Sequence, residues 1–475
     1  MLKKMFQGCL AILVVVVLLI GGVIAVAIGG AARDWDWTWR DPLADVAWAT
    51  SYEGTYTLTV EPETALVSDV VAIRAEGFEP NQLVGVQAEA EDVRGVTWAS
   101  AAVFQADASG AINLTEDAPV SGSYGEVDPM GLFWSMRPTT EQEINFFGTG
   151  GDDYEVRLSL VADGQTLANA TAVRLSKSPD LIREEVATET VRGVFYRPNS
   201  STPLPTILII GGSEGGLQAQ TAALWASHGY AALAVGYFGL DGLPNMLSEI
   251  PLETFDNALA WLRTQPSVDV EQIAIHGTSR GSEAALLTAI ANPDLAAVIT
   301  VVPSSMVWSG LDFSAASENR GQVPSAWTRD GVQLAANNNS FSIETFRSMI
   351  GQPARLVGTF EAGLNSPAPE SIIPVEEIEA PILLISGTDD QLWPSSAFAD
   401  QIMTRLAEND FTYESEHLKI EGSGHVVFIA WQPPATMFST DVGSMALGGS
   451  REANGGATGD VWQTQVSFLE RHLGR

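Results

Sequence analysis

The chain is short of basic residues and nearly without thiols. Its 475 residues hold 24 Lys plus Arg against 58 Asp plus Glu, a formal net charge of −34, and one cysteine, Cys9. Nucleic-acid affinity comes largely from Lys and Arg neutralising phosphates, so no nucleic-acid partner is expected. A single cysteine excludes an intramolecular disulfide and any zinc site built on a cysteine cluster. Lysine occurs only at Lys3, Lys4, Lys177 and Lys419. Histidine is also scarce, at 5 residues, and no two have ligand spacing on a helix face. Neither a metal nor another cofactor is therefore expected. So acidic a surface suits solubility in salt; a salt-rich habitat and a plain compositional bias fit equally well. With 45% hydrophobic residues the chain buries a core and is not a disordered acidic tail. At about 100–200 residues per domain, the length allows two to four domains, or one large domain with an appendage.

Charge is absent from Cys9 to Ala32, an apolar run of 24 residues that follows Lys3 and Lys4. A membrane-spanning helix needs about 20 residues, and the core of a cleaved signal about 7–15. Length thus favours a retained anchor through residues 9–32. Cleavage after Ala25-Val26-Ala27 or Gly30-Ala31-Ala32 is the alternative. The positive charge before the run predicts a cytoplasmic amino end, with the rest of the chain outside. Trp35, Trp37 and Trp39 read either as an interfacial aromatic belt or as a short alternating strand. Cys9 stands too early, at the head of the run, for a lipidation site of the signal-peptide type.

Beyond this first part (residues 1–40), residues 55–176 read as β structure. Alternating runs recur at Tyr56 to Val60, Val70 to Arg74, Leu83 to Gln87 and Tyr154 to Leu160. Turn material such as Glu79-Pro80-Asn81 separates them, which predicts an antiparallel β-sandwich. The apolar stretch from Asp128 to Met136 reads as interdomain packing, or else as the lining of a ligand channel.

From residue 186 to 475 strands alternate with helices, the pattern of an α/β fold on a mostly parallel sheet. Thr206 to Ile210 is a continuous apolar run, as a strand buried on both faces requires. It leads into Gly211-Gly212-Ser213-Glu214-Gly215-Gly216 and a helical stretch to His228. Ala231 to Val235 predicts the next strand, Leu252 to Thr264 an amphipathic helix, and Gln272 to His276 a further strand. Gly277-Thr278-Ser279-Arg280-Gly281 then stands between that strand and an apolar helix from Ala284 to Ala291. This is the setting of a nucleophile elbow, whose tight turn leaves room only for glycine at its flanks. Ser279 is the nucleophile candidate; a helix-capping serine is the alternative.

Such a hydrolase needs an acid after a later strand, then a histidine. Pro381 to Ser386 reads as that strand, and Gly387-Thr388-Asp389-Asp390 follows it. Asp390 is preferred as the acid, with Asp389 the alternative. His425 lies in a glycine-bounded loop after the acid, unlike His228, His276, His417 and His472. A serine, a histidine base and an orienting aspartate together support nucleophilic acyl transfer. The oxyanion would be held by backbone amides, one at Arg280 and one in the 211–216 turn, at Ser213.

These residues resemble the family of acyl-CoA thioesterases and bile acid-CoA:amino acid N-acyltransferases. The resemblance runs from about Glu63 to the end. It rests on Asp128 to Ser135, Gly215-Gly216-Leu217, Tyr237-Phe238-Gly239, Ser279-Arg280-Gly281, Gly387-Thr388-Asp389-Asp390, Gly424-His425, and the tail from Gly448-Gly449 to His472-Leu473. It implies an α/β-hydrolase domain behind a β-sandwich, a triad of Ser279, Asp390 and His425, and acyl-CoA as substrate. Members that transfer the acyl group to an amino acid carry cysteine at the nucleophile, so Ser279 implies water as the acceptor. The chain departs from the family pattern at Ser282, where a second glycine is usual. It departs again in the loose proline run Trp431-Gln432-Pro433-Pro434, and in the apolar amino terminus. Arg280 reads either as a phosphate-facing arginine for CoA or as a solvated arginine at a helix start.

Three functions follow. The first is hydrolysis of an acyl thioester, acyl-CoA above all. The second is an extracytoplasmic esterase or acyltransferase working on lipid or cell-wall acyl groups. The third is a non-catalytic acyl-ligand binder. Oligomeric state and acyl-chain length are left open.

Overall fold

The computed structural model describes residues 41–48, 51–140, 146–312, 323–339, 347, 352–426, 430–440 and 443–474. The span expected at residues 9–32 lies outside them. Among the described residues no helix is long and apolar enough to cross a membrane.

An eight-stranded sheet forms the carboxyl-terminal region. Its strands are β1 (Ile182–Ala187), β2 (Arg192–Arg197), β3 (Leu204–Ile210), β4 (Ala231–Gly236), β5 (Val268–Thr278), β6 (Ala297–Val301), β7 (Ile382–Gly387) and β8 (Ser415–Ile420). They lie in the order β1-β2-β4-β3-β5-β6-β7-β8. The pairings of β2 with β1 and β4 are antiparallel and all the others parallel. Every residue of β4, β6 and β7 is buried, which explains their unbroken apolar runs: helices cover both faces.

Alternation within the strands decides which side chain meets which layer. On one face Ile207, Ile209, Ala232, Ile299 and Leu383 pack with Trp225 of α1 (Ala219–Ser227) and with Trp462 and Phe468 of the final helix. On the other, Leu208, Ile210, Ile275, Val298 and Leu384 pack with three helices. These are α2 (Glu253–Arg263), α3 (Arg280–Ala291) and α4 (Ser395–Glu408). The final helix, α5 (Arg451–His472), spans 22 residues and is capped by Ser450 Oγ, which accepts from Ala453 N at 3.0 Å.

At the elbow a boundary differs from the sequence expectation for a physical reason. Helix α3 starts at Arg280 rather than Ala284, because the elbow forces Gly281 and Ser282 into its first turn against their weak propensity. Edge strand β8 carries polar side chains on both faces: Glu416 pairs with Arg471 of α5, and Lys419 Nζ lies 2.7 Å from Asp400 of α4.

The amino-terminal region holds two sheets. Thr57–Glu61, Ala72–Glu76 and Ala111–Asn113 form one of three strands. The other has seven strands, with Leu83–Glu91, Thr97–Gln105, Tyr154–Ala162 and Gln165–Leu175 as its long members. Leu58, Ile73 and Ile112 of the first sheet share a buried core with Val84, Phe104 and Leu158 of the second.

The apolar stretch at 128–136 is a contact between the two regions. Its helical turn Gly131–Trp134 is wholly buried. Trp134 lies against Gly455 of α5, where a Cβ would intrude on the indole. Arg451 Nη2 donates to Met136 O at 2.5 Å, and Trp431 Nε1 donates to Ser68 O at 3.3 Å across the same boundary. Ring contact with Trp431 likewise leaves no room for a Cβ on Gly459, so close approach, not propensity, explains these helical glycines.

Candidate active site

Strand β5 runs into α3 through Ser279, which takes φ 53° and ψ −123°. A non-glycine residue at positive φ is held there only by its surroundings. Here the surroundings are close backbone: a Cβ on Gly277 would strike Gly281, and one on Gly281 would strike Gly211. Both flanking glycines are thus obligatory, and the turn stands the serine side chain clear of the sheet edge.

Ser279 Oγ lies 3.0 Å from His425 Nε2, and His425 Nδ1 lies 2.8 Å from Asp390 Oδ2. All three side chains are buried. Asp390 Oδ1 accepts from Leu392 N at 2.9 Å and Trp393 N at 3.1 Å, and Oδ2 also accepts from Ser395 Oγ at 2.7 Å. The carboxylate is therefore fully engaged and aims one oxygen at the imidazole. Asp389, the alternative acid, points elsewhere: it accepts from Gln391 Nε2 at 2.6 Å and from Gly449 N at 3.1 Å.

The other histidines are committed away from Ser279. His228 Nε2 meets Ser68 Oγ at 2.7 Å, His417 Nε2 meets Ser386 Oγ at 2.8 Å, and His472 Nε2 lies 3.3 Å from Glu414. His276 Nε2 meets Gln465 Oε1 at 2.9 Å, deep under α5. Burial, against the opposing pull of that hydrogen bond, brings the His276 pKa down to about 4. An unfolded chain takes up the proton at an ordinary 6.5. The folded protein should thus lose stability as pH falls through that interval, by about 3 kcal/mol at its lower end. Urea midpoints of wild type and His276→Leu against pH check this. Equal slopes in the two proteins would refute it.

Arg280 fits neither sequence reading of its side chain. The guanidinium is buried rather than solvated or turned to a phosphate. Its Nε lies 2.7 Å from Glu283 Oε1, while Nη1 and Nη2 donate to Ser309 O at 3.1 Å and Nη2 to Trp308 O at 3.2 Å. Glu283 Oε2 in turn accepts from Trp308 N at 3.1 Å and Trp327 Nε1 at 2.9 Å. Burial raises the Glu283 carboxyl pKa, against the pull of Arg280 and these donors. The pair ties the first turn of α3 to the segments around Trp308 and Trp327. What remains of the expectation is the Arg280 backbone N–H, which belongs to a first helical turn and so has no intrahelical acceptor.

In the turn 211–216, Gly212 is the residue against the serine: a Cβ there would stand 3.0 Å from Ser279 Cβ. Ser213 is exposed. Tyr237 Oη donates to Gly211 O at 2.7 Å and Gly212 O at 2.9 Å. In trans peptides this turns the following amides, of Gly212 and Ser213, the opposite way. Gly212 N–H is taken by Glu214 Oε1 at 2.9 Å.

Sequence reasoning missed several supports of this site. Asn454 of α5 accepts from Gly424 N at 2.8 Å and Ser423 Oγ at 2.9 Å, and so holds the histidine loop. Ser395 and Tyr237 act in the same supporting way. No local signal marks Asn454 or Tyr237, since their partners lie on other elements, while Ser395 bonds Asp390 in the loop just before its own helix. Among the described residues no group of three or more His, Cys, Asp and Glu is placed to hold a metal ion.

Residues 68–188 match the family described as Acyl-CoA thioester hydrolase/BAAT N-terminal region, and residues 250–475 match BAAT / Acyl-CoA thioester hydrolase C terminal. The chain is 28% identical over 426 residues to acyl-coenzyme A thioesterase 2, mitochondrial, of Mus musculus, covering 88% of this chain and 90% of that one. It is 27% identical over 433 residues to acyl-coenzyme A amino acid N-acyltransferase 1 of the same organism, covering 88% and 97%. With human acyl-coenzyme A thioesterase 1 the identity is 25% over the same shares. Among solved structures, the alpha/beta hydrolase GrgF from Penicillium sp. sh18 is similar, with 18% identity, a TM-score of 0.38, and coverage of 62% of this chain and 99% of that one. With both regions matched in order and similarity along 88% of its length, the chain belongs to the acyl-CoA thioester hydrolase/BAAT family and is an enzyme of the thioester hydrolase kind.

Proposed function

We propose that the chain hydrolyses acyl thioesters, acyl-CoA above all, to a free acid and a thiol, with Ser279 as nucleophile, His425 as base and Asp390 as its orienting acid. The observation that carries this reading is the hydrogen-bond chain from Ser279 Oγ through His425 to Asp390, on a serine held at φ 53°. His425 Nε2 takes the proton as Oγ attacks the thioester carbonyl. Asp390 keeps the proton on Nδ1 and stabilises the imidazolium. The tetrahedral oxyanion lies against Arg280 N–H and Ser213 N–H. Occupation of the Gly212 amide by Glu214 supports Ser213 as the second donor. Collapse expels the thiolate, which His425 protonates. Water then attacks the acyl-serine by the same route and frees the acid. Serine rather than cysteine at position 279 supports water as acceptor.

Thiol release from an acyl-CoA series, measured with protein lacking residues 1–32, tests this. Release at some chain length is expected, and none at any length would remove the CoA reading.

One observation favours a second reading, of an extracytoplasmic esterase or acyltransferase on lipid or cell-wall acyl groups. It is the uncharged run at residues 9–32 after Lys3 and Lys4, which we read as an anchor with the catalytic region outside. A topology reporter fused at Arg475 should read as extracytoplasmic; a cytoplasmic signal ends this reading.

A further inference from the structure

Glu214 is an exposed acid in the wall of the site, and the proposed chemistry gives it no task. Its Oε1 accepts from Gly212 N at 2.9 Å and also from Gln218 Nε2. A Cβ on Gly212 would stand 2.8 Å from Glu214 Oε2 and 3.0 Å from Ser279 Cβ. The carboxylate and the nucleophile thus flank the same Cα. Among the described residues no cation pairs with Glu214. Arg280, the cation next in sequence to the serine, is turned inward to Glu283 and to the Trp308 and Ser309 carbonyls. Tyr237, whose hydroxyl pins the turn, feels the same charge: its pKa is raised well above the usual value, by burial first and by Glu214 next. A lone negative charge therefore stands beside the reacting atoms.

We propose that Glu214 sets the charge preference of the site: acyl donors with a cationic or neutral group near the reacting carbonyl are accepted, and those with an anionic group there are disfavoured. This rests on Ser279 as nucleophile. It does not conflict with acyl-CoA, whose phosphates sit at the far end of the pantetheine arm, beyond the Debye length of about 8 Å at physiological ionic strength. The charge excluded is one carried on the acyl chain close to the thioester, such as a short dicarboxylic acyl group.

The test uses three serine-directed phosphonates with a common leaving group and a neutral alkyl, a trimethylammonium-alkyl or a carboxyalkyl arm. Each forms a P–O bond to Ser279 Oγ and expels its leaving group, so the rates report charge preference without any thioesterase assay. Wild type should react faster with the cationic than with the anionic reagent. Glu214→Gln should shrink that ratio by about tenfold, the scale of one partly screened unit charge at this range. Glu214→Asp, which keeps the charge on a shorter stem, should preserve most of it. An unchanged ratio in Glu214→Gln, with Ser279 still labelled, overturns the proposal and leaves the hydrolase reading standing. Failure of all three reagents to label wild type overturns both.

Discussion

Replacement of Ser279 by alanine should lower thiol release from acyl-CoA by about 10⁴-fold or more while leaving the protein folded. A triad works as a unit: loss of the nucleophile removes the covalent route and leaves only what the oxyanion donors and substrate binding supply. Asp390→Asn should fall nearly as far, because an amide at that position can donate to His425 Nδ1 and favour the wrong tautomer. Asp389→Asn separates the two carboxylates. Its side chain holds Gln391 and the Gly449 amide rather than His425, so activity should drop only modestly. Steady-state thiol release together with circular dichroism measures all three. If Asp389→Asn proved the more damaging of the two aspartate changes, the assignment of the acid would be wrong.

The second large effect concerns stability. Glu283→Ala should destabilise the fold by about 3–5 kcal/mol, since it strands a buried guanidinium. Arg280 and Glu283 are both buried, and Glu283 is also the acceptor for Trp308 N and Trp327 Nε1. Loss of the acid thus leaves one charge and two donors unsatisfied. Urea denaturation reads the loss. Replacing both partners with apolar residues of similar volume, Arg280→Met with Glu283→Leu, should recover the share due to the stranded charge but not that of the two donors, which still lack an acceptor. If the single variant lost less than about 1 kcal/mol, the pair would be no anchor for this helix.

The same pair shows where reading along the chain reaches its limit. Position 280 after the nucleophile was legible, but the direction of its side chain was not. Whether an arginine at a helix start faces solvent, a phosphate or a buried acid depends on the segments around Trp308 and Trp327, which return from far along the chain. The histidine is the opposite case. His425 was legible as the candidate base because strand order confines such a base to a loop after the acid, and the other four histidines fail that condition before any distance is known.

Local pattern determined the α/β class, since strands buried on both faces must read as unbroken apolar runs and crossover helices must separate them. It also determined the elbow, because a turn this tight excludes side chains at Gly277 and Gly281. The excess of acid over base is likewise a property of the chain alone. Tertiary structure decided the rest. It put Asp390, and not its neighbour Asp389, within hydrogen-bond range of His425. It made Gly455 and Gly459 of α5 a packing necessity against Trp134 and Trp431. It also set Glu214 beside Ser279. These outcomes depend on groups distant in sequence meeting within hydrogen-bond or van der Waals range, and no local periodicity encodes such a meeting.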